Sequence, residues 1–398
     1  MMSVILRFFA SDVVARGIAV LFIPVFSYLL GPTQLGLFSE WFALYNVFAA
    51  VVALGIPSFV LVLLSREAES GERVNRDVLR FFAEWCVVVG VLNLGYLVVA
   101  PDLVYGFGLY LAGVMFAIVN YAAAILRHQQ QYGRYLQLQL ALAAATSMVP
   151  AIWVYYAPNW EARALGYTGG LVLLALVVCV VGGIRIARHR LSWAFRREAL
   201  GFGSSIALMS GLAWFKLGGD VQFLKWFSGY SASGILFFAF QVVSVVSIIA
   251  ASLNRSSAPS FYRLIHESRR GDFVALVVRL SGGLALLALA TVALAWLLVN
   301  FWLADFREAM FLVYPMTAGA VIYGAGQFVA SQYLYSKKPQ VLTWCVGLSS
   351  IFHPLVSYLL VSGAGWHWIG WSYLASSCLF LVLVGVNLYR VREAWETS

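Results

Sequence analysis

The residues of this chain that could do chemistry are a few charged side chains inside long apolar stretches. Asp12 and Arg16 lie four residues apart, and so do Lys216 and Asp220. Residues at this spacing share one face of a helix, so each pair can form an ion pair. A charge at the middle of a bilayer costs roughly 3 kcal/mol, so such residues either pair or line an aqueous cavity.

Arg16 allows two interpretations from its spacing alone. It lies about nine residues into the first apolar stretch, which is ~13 Å along a helix. A neutral pair with Asp12 would only hold helices together. A free guanidinium is a planar fork that remains charged and suits phosphate groups. The spacing leaves both interpretations open.

Four polar residues in or beside apolar stretches, Lys216 among them, are candidates for interfacial, binding or coupling roles. Lys216 lies in the outer half of the seventh stretch and Lys225 near its outer end, where a lysine can reach toward the interface. Arg255 opens the connection after the eighth stretch. His353, near mid-stretch, favours a polar contact between helices, although an imidazole could also assist ion coupling.

No motif for catalysis, metal binding or nucleotide binding occurs in the sequence. HExxH, Walker, GxSxG and EF-hand patterns are all absent, and the four cysteines have no CxxC spacing. We therefore predict no catalytic residue, no metal site and no cofactor. The cysteines Cys86, Cys179, Cys345 and Cys378 all fall in apolar stretches, as small core residues do.

The elements that must position these residues are membrane-spanning helices. The chain is 62% hydrophobic and only 11% charged, against roughly 25% charged residues in soluble domains. Apolar runs of about 20 residues can cross the hydrocarbon core, and in lipid they must be helical. We predict an all-α polytopic protein with about twelve spans. They cover residues 8–30, 37–63, 78–99, 103–126, 136–156, 164–184, 201–225, 231–253, 273–300, 309–334, 341–362 and 366–389.

The basic residues indicate how these spans are oriented. With the N-terminus in the cytoplasm, most of the 26 Lys and Arg residues fall on the cytoplasmic side. This is a strong positive-inside pattern, and it favours an even number of spans with both termini in the cytoplasm. The positive net charge of +9 is explained by orientation, so we predict no nucleic-acid partner. The cytoplasmic groups lie in 66–80, 127–134, 185–197, 255–270, 337–338 and 390–392.

The sequence also indicates an internal duplication. Gly31 and Gly36 match Gly229 and Gly234 at an offset of about half the chain, and both pairs follow the first span of a six-span half. Both halves would have the same orientation, so the repeat axis would run along the membrane normal. We predict two six-helix lobes, 1–190 and 191–398, around a central cavity.

Several loose motifs are spread along nearly the whole chain. They are Arg16 with Tyr28 to Phe38, Gly219-Asp220 with Gly229 to Phe240, Ala258 to Arg263, Gln332 to Tyr335, and Gly370-Trp371. Together they resemble one family, the Wzx-type O-antigen flippases of the multidrug/oligosaccharidyl-lipid/polysaccharide (MOP) exporter superfamily. Val221 departs from the pattern, since the family often has Arg there.

The resemblance implies export of an undecaprenyl-diphosphate-linked oligosaccharide across the bacterial inner membrane by alternating access. It implies membrane lipid around the polyprenyl tail, a coupling ion (H⁺ or Na⁺), and periplasmic polymerase machinery as a further partner. The candidate substrate-binding residues are Asp12, Arg16, Lys216, Asp220, Lys225 and Arg255.

Two other functions compete with this one. A cation-coupled multidrug exporter of the same superfamily would share the architecture, but a cationic drug prefers an acidic cavity and the first span contains Arg16. A membrane glycosyltransferase or polymerase usually needs a large external loop, and the predicted loops here are short.

Overall fold

Twelve long helices follow one another along the chain in a computed structural model, which describes residues 2–66, 71–99, 102, 104–182, 191–335 and 339–388. No strand occurs among these residues. A π-helical turn, Val104–Gly108, precedes α4, and another, Phe215–Gly219, joins α7 to α8. The helices are α1 (Met2–Ala53), α2 (Ile56–Arg66), α3 (Gly71–Val99), α4 (Leu109–His128), α5 (Tyr132–Tyr156), α6 (Trp160–Gly182), α7 (Trp193–Trp214), α8 (Asp220–His266), α9 (Arg270–Phe301), α10 (Ala309–Tyr335), α11 (Pro339–Ala364) and α12 (Gly370–Leu388).

Ten helical stretches of the described chain are long and apolar enough to span a membrane. Two of them have 48 and 62 residues, and 48 residues of helix reach about 72 Å, more than twice the hydrocarbon thickness of ~30 Å. Each of these two therefore holds two crossings, which gives twelve. The predicted fold class, an all-α polytopic membrane protein with about twelve spans, is confirmed.

The two longest helices are kinked at glycines that the sequence repeat singled out. Gly31 in α1 has φ 65° and ψ 174°, and Gly229 in α8 has φ 82° and ψ −179°. A positive φ is strained for other residues and open to glycine. The matched positions of the two halves therefore share one backbone conformation, which supports the duplication.

The second glycine of each motif lies where α1 and α8 cross. A Cβ on Gly36 would overlap the carbonyl oxygen of Tyr230, and a Cβ on Gly234 would overlap that of Pro32. These contacts are reciprocal, because each glycine meets the residue four positions before its counterpart. The repeat therefore brings its own two copies together at this crossing, as a pseudo-twofold axis requires. Superposition of the complete halves stays a prediction.

The second predicted span, 37–63, is wrong as one continuous helix. It is broken at Leu54 and Gly55, which both have positive φ, and α2 starts immediately afterwards. A Cβ on Gly203 of α7 would overlap the Leu54 carbonyl oxygen, and a Cβ on Gly55 would lie 2.8 Å from the Ile206 side chain. The break therefore lies where α7 approaches the backbone closely.

The chain forms two compact units. The first unit holds Val14–Phe22 and Glu40–Trp214. Its core is a cluster of buried side chains from α1 to α4 and α7, including Phe59, Val78 and Phe81. Glu84 of α3 lies 2.9 Å from Arg80 Nε and 3.1 Å from Arg196 at the start of α7.

The second unit holds Met2–Val13, Ile23–Ser39 and the described chain from Phe215 onward. Its central helix is α10, which packs against α8, α9 and α12. Buried Tyr333 of α10 donates a hydrogen bond to the Val384 carbonyl of α12. By contrast, α9 exposes large apolar side chains such as Leu286 and Leu289, as expected of a helix that faces lipid. The sequence repeat predicts the two lobes 1–190 and 191–398, and these lobes stay a prediction.

Part of the predicted orientation pattern lies beyond the described chain. The basic residues Arg185, Arg188, Arg190, Lys337, Lys338, Arg390 and Arg392 lie outside the described residues.

Candidate functional site

A buried polar cluster lies in the second unit, where α8, α11 and α12 meet. Asp220 is the first residue of α8, directly after the π-helical turn, and only 3% of its surface is exposed. The Ser357 hydroxyl of α11 donates to Asp220 Oδ1 at 2.6 Å, and His353 Nε2 lies 2.9 Å from Oδ2. A carboxylate removed from water needs such partners, and these two engage both of its oxygens.

The other nitrogen of the His353 ring contacts α12. Nδ1 lies 3.1 Å from the Ser376 hydroxyl, which can also donate to the Tyr373 carbonyl at 3.1 Å. A neutral ring that donates from Nε2 to Asp220 can accept from Ser376. A protonated ring can donate to Ser376, whose proton then turns to the Tyr373 carbonyl. The cluster can therefore hold or release a proton without an unsatisfied polar group.

Two serines extend the cluster between the helices. Ser357 Oγ lies 2.8 Å from Ser372 Oγ, and Ser372 donates to the Ile369 carbonyl at 2.6 Å. All of these groups are buried. Sequence reasoning missed the serines, although a signal was present. Ser357 follows His353 by four residues and Ser376 follows Ser372 by four, so each pair lies on one helix face.

Lys216 does not form the predicted ion pair with Asp220. Its Nζ lies 4.7 Å from the centroid of the Tyr323 ring of α10, a cation–π contact. Residues 215–219 form a π-helical turn. Both carboxylate oxygens of Asp220 are engaged by His353 and Ser357 of α11. The prediction fails because the spacing of the pair along the chain does not reveal the partners that α11 supplies.

Lys225 lies in the first turns of α8, and its predicted place at the outer membrane interface stays a prediction. Its Nζ is 5.4 Å from the centroid of the Tyr230 ring, beside the Gly229 kink. The side chain is half-buried. An amphipathic lysine beside an aromatic ring is typical of the edge of a membrane.

Three predicted site residues have described backbones but side chains outside the described part. Asp12 and Arg16 lie within α1, and Arg255 lies within α8. The structure thus brings Asp220 and His353 together and separates Lys216 from both. The roles of Asp12, Arg16 and Arg255 stay predictions.

Solved structures with the same fold are multidrug transporters. No family model matches the sequence, and no curated protein matches it. An inward-facing multidrug resistance MATE family transporter of the MOP superfamily has a TM-score of 0.72 and 13% identity over 95% of this chain and 96% of that one. An outward-facing conformation of such a transporter has a TM-score of 0.66 and 14% identity over 100% of this chain and 97% of that one. A MATE in complex with MaD3S has a TM-score of 0.68 and 12% identity over 100% and 97% of the chains. These likenesses establish the MATE-type fold for this chain.

Proposed function

We propose that the protein is a flippase that moves a diphosphate-linked, polyprenyl-anchored oligosaccharide from the cytoplasmic to the periplasmic leaflet of the inner membrane by alternating access. The observation that carries this proposal is the separation of Lys216 from Asp220. The solved relatives support alternating access, since they include inward-facing and outward-facing conformations.

An uncompensated lysine favours an anionic substrate. The contact between Lys216 and the face of Tyr323 leaves the ammonium donors free to bind phosphate oxygens. Asp220, which could have neutralised it, is buried against His353 and Ser357. Lys216 therefore offers a positive charge for the headgroup, while the Asp220 carboxylate is already engaged. Arg16 would supply a second, bidentate anchor in the first helix.

Protons are the coupling ion that the Asp220–His353 cluster favours. The Ser376 hydroxyl and the Tyr373 carbonyl can satisfy the His353 ring with or without a second proton. A proton taken up from the periplasm and released to the cytoplasm would supply the energy for export.

A cation-coupled multidrug exporter is the second candidate. The structural likeness to MATE transporters supports it as well, since their fold is this one. In that case a carboxylate would bind the drug, and buried Glu40 of α1 is a candidate. The two candidates differ in the charge of the substrate.

Transport in proteoliposomes distinguishes them. The probe is a polyprenyl diphosphate carrying a fluorescent sugar, and its transfer is measured by quenching from one side. We expect Arg16→Ala to reduce the rate by roughly 10- to 150-fold, since a charge-assisted hydrogen bond contributes about 1.5–3 kcal/mol. Lys216→Gln should cause a smaller loss, because Lys216 acts later in transit, and Arg16→Lys should rescue only in part.

Arg307→Gln is the matched control, because Arg307 is exposed on the outer connection and should leave the rate unchanged. Full activity of Arg16→Ala would remove Arg16 as the anchor. The alternative outcome is transport of an organic cation such as ethidium. If that transport is lost in Glu40→Gln and unaffected by Lys216→Gln, the function is drug export and the flippase proposal is wrong.

A further inference from the structure

A second candidate site lies entirely within the first unit, apart from any group used above. Helices α3, α4, α5 and α6 enclose an open cavity of about 760 Å³. Three of these helices line it with one face each, at the i, i+3, i+4, i+7 spacing. The faces are 72, 75, 76 and 79 on α3; 134, 137, 138 and 141 on α5; and 174, 177, 178 and 181 on α6.

The walls of this cavity differ in polarity. The wall from α6 is wholly apolar, and Val177 and Val181 on it are largely exposed. A second wall, formed by the start of α3, the α4–α5 turn and the start of α5, carries Arg76, Gln129 and Arg134. An exposed apolar wall beside a basic, polar wall is the arrangement that accommodates a lipid, with its chains on one side and its headgroup on the other.

Hydrogen bonds at the polar wall engage several of its acceptors and leave guanidinium donors. Arg134 donates to Gln131 Oε1 at 3.1 Å, and Gln131 in turn donates to Gln129 Oε1 at 3.0 Å. Arg76 Nη2 donates to Glu72 Oε1 at 2.7 Å. The amide oxygens of Gln129 and Gln131 thus accept from donors of the protein itself. The remaining guanidinium and amide N–H groups can donate to a ligand or to water.

The charge balance and one unsatisfied atom indicate the same kind of ligand. Glu72 offsets one of the two arginines, which leaves the wall with a net positive charge. Arg76 Nε is buried and has no hydrogen-bond partner, a costly state for a guanidinium donor. A phosphate group supplies both the negative charge and several strong acceptor oxygens.

We propose that this cavity binds an anionic phospholipid of the surrounding leaflet, with its phosphate at Arg76 and Arg134 and its acyl chains along Val177 and Val181. Basic pockets between helices at a membrane surface bind anionic headgroups in this way. The site lies at the end of the bundle that the basic residues place on the cytoplasmic side. It does not depend on the transported substrate.

Native mass spectrometry of the full chain tests the proposal. The purified protein is exchanged into mixed micelles holding equal amounts of phosphatidylglycerol and phosphatidylcholine, and the retained lipids are counted. We expect preferential retention of phosphatidylglycerol. Arg76→Gln with Arg134→Gln should reduce it about tenfold or more, as expected for two lost charge-assisted hydrogen bonds.

Arg73→Gln is the matched control, because Arg73 is an exposed residue of the same helix that does not line the cavity. A second variant, Ala141→Trp, fills the cavity without a change in charge and should also reduce retention. Equal retention of the two lipids, an equal loss in Arg73→Gln, or displacement by millimolar inorganic phosphate as effective as by lipid would overturn the proposal.

Discussion

At the scale of single residues, the cluster around Asp220 combines full burial with two protonation states that are both satisfied. The titratable groups that meet there are Asp220 of α8 and His353 of α11, with the Tyr373 ring of α12 at 6.2 Å from the imidazole. Buried networks of this kind are costly when one member loses its partner. A group kept under these constraints in an apolar bundle is well placed to respond to protons.

Replacement of the Asp220 carboxylate tests this role. Asp220→Asn keeps the shape and an acceptor for His353 but removes the negative charge of the cluster. Transport of the fluorescent diphosphate lipid should be accelerated by an acidic outer compartment in the parent protein and slowed when the gradient is reversed. In Asp220→Asn we expect the ratio of the transport rates with and without the pH gradient to fall about tenfold or more. This is the effect expected from the loss of one charge-assisted hydrogen bond.

The control is Asp305→Asn, since Asp305 is an exposed carboxylate of the α9–α10 connection. It should retain the gradient response. If the transport rate of Asp220→Asn still responds to the pH gradient, the cluster serves only to hold α8, α11 and α12 together.

At the scale of helices, the crossing of α1 and α8 determines how closely the two copies of the repeat approach. The backbones meet at Gly36 and Gly234 without any side chain between them. Close approach through small residues is a common way for helices to associate in lipid, where the hydrophobic effect between them is absent.

One added methyl group tests the crossing. Gly234→Ala would push a Cβ into the Pro32 carbonyl oxygen, so the helices must separate. We expect a loss of about 1–3 kcal/mol in stability, as for other overpacked positions, measured by thermal unfolding in detergent. Gly211→Ala in α7 is the control, because its Cβ meets open space. It should be neutral or stabilising, since alanine favours a helix. Equal melting temperatures for Gly234→Ala and the parent would contradict the close crossing.

At the scale of the whole molecule, we predict that the connections rich in basic residues face the cytoplasm. In a variant whose four cysteines are replaced by serine, single cysteines are introduced and labelled with an impermeant maleimide added outside intact cells. Positions near 32, 159 and 306 should react. Positions in 71–76, 191–196 and 263–270 should react only after the membrane is opened, because the basic residues hold those connections inside. The reverse pattern would invert the orientation and the direction of transport.

The sequence by itself determined the features of this protein that depend on neighbouring residues. Apolar length fixes which segments cross the membrane, because every backbone group in lipid must be paired within its own helix. The spacing of Gly31 and Gly36 against Gly229 and Gly234 indicated the duplication alone. The structure added that two kinks and a helix crossing lie at these glycines, where a left-handed backbone and a close approach favour glycine. The broken second span was missed, since positive φ at Leu54 depends on the packing of α7.

Only the tertiary structure decided which polar groups meet. The i, i+4 spacing predicted a pair of Lys216 with Asp220, but Asp220 is engaged by His353 of α11, 133 residues away. The cavity among α3 to α6 is likewise formed by residues more than 100 positions apart along the chain. A local pattern states which face of a helix a residue occupies. Which partner that face meets is determined by the packing of helices that are distant in sequence, where a buried charge takes the partners that satisfy it best.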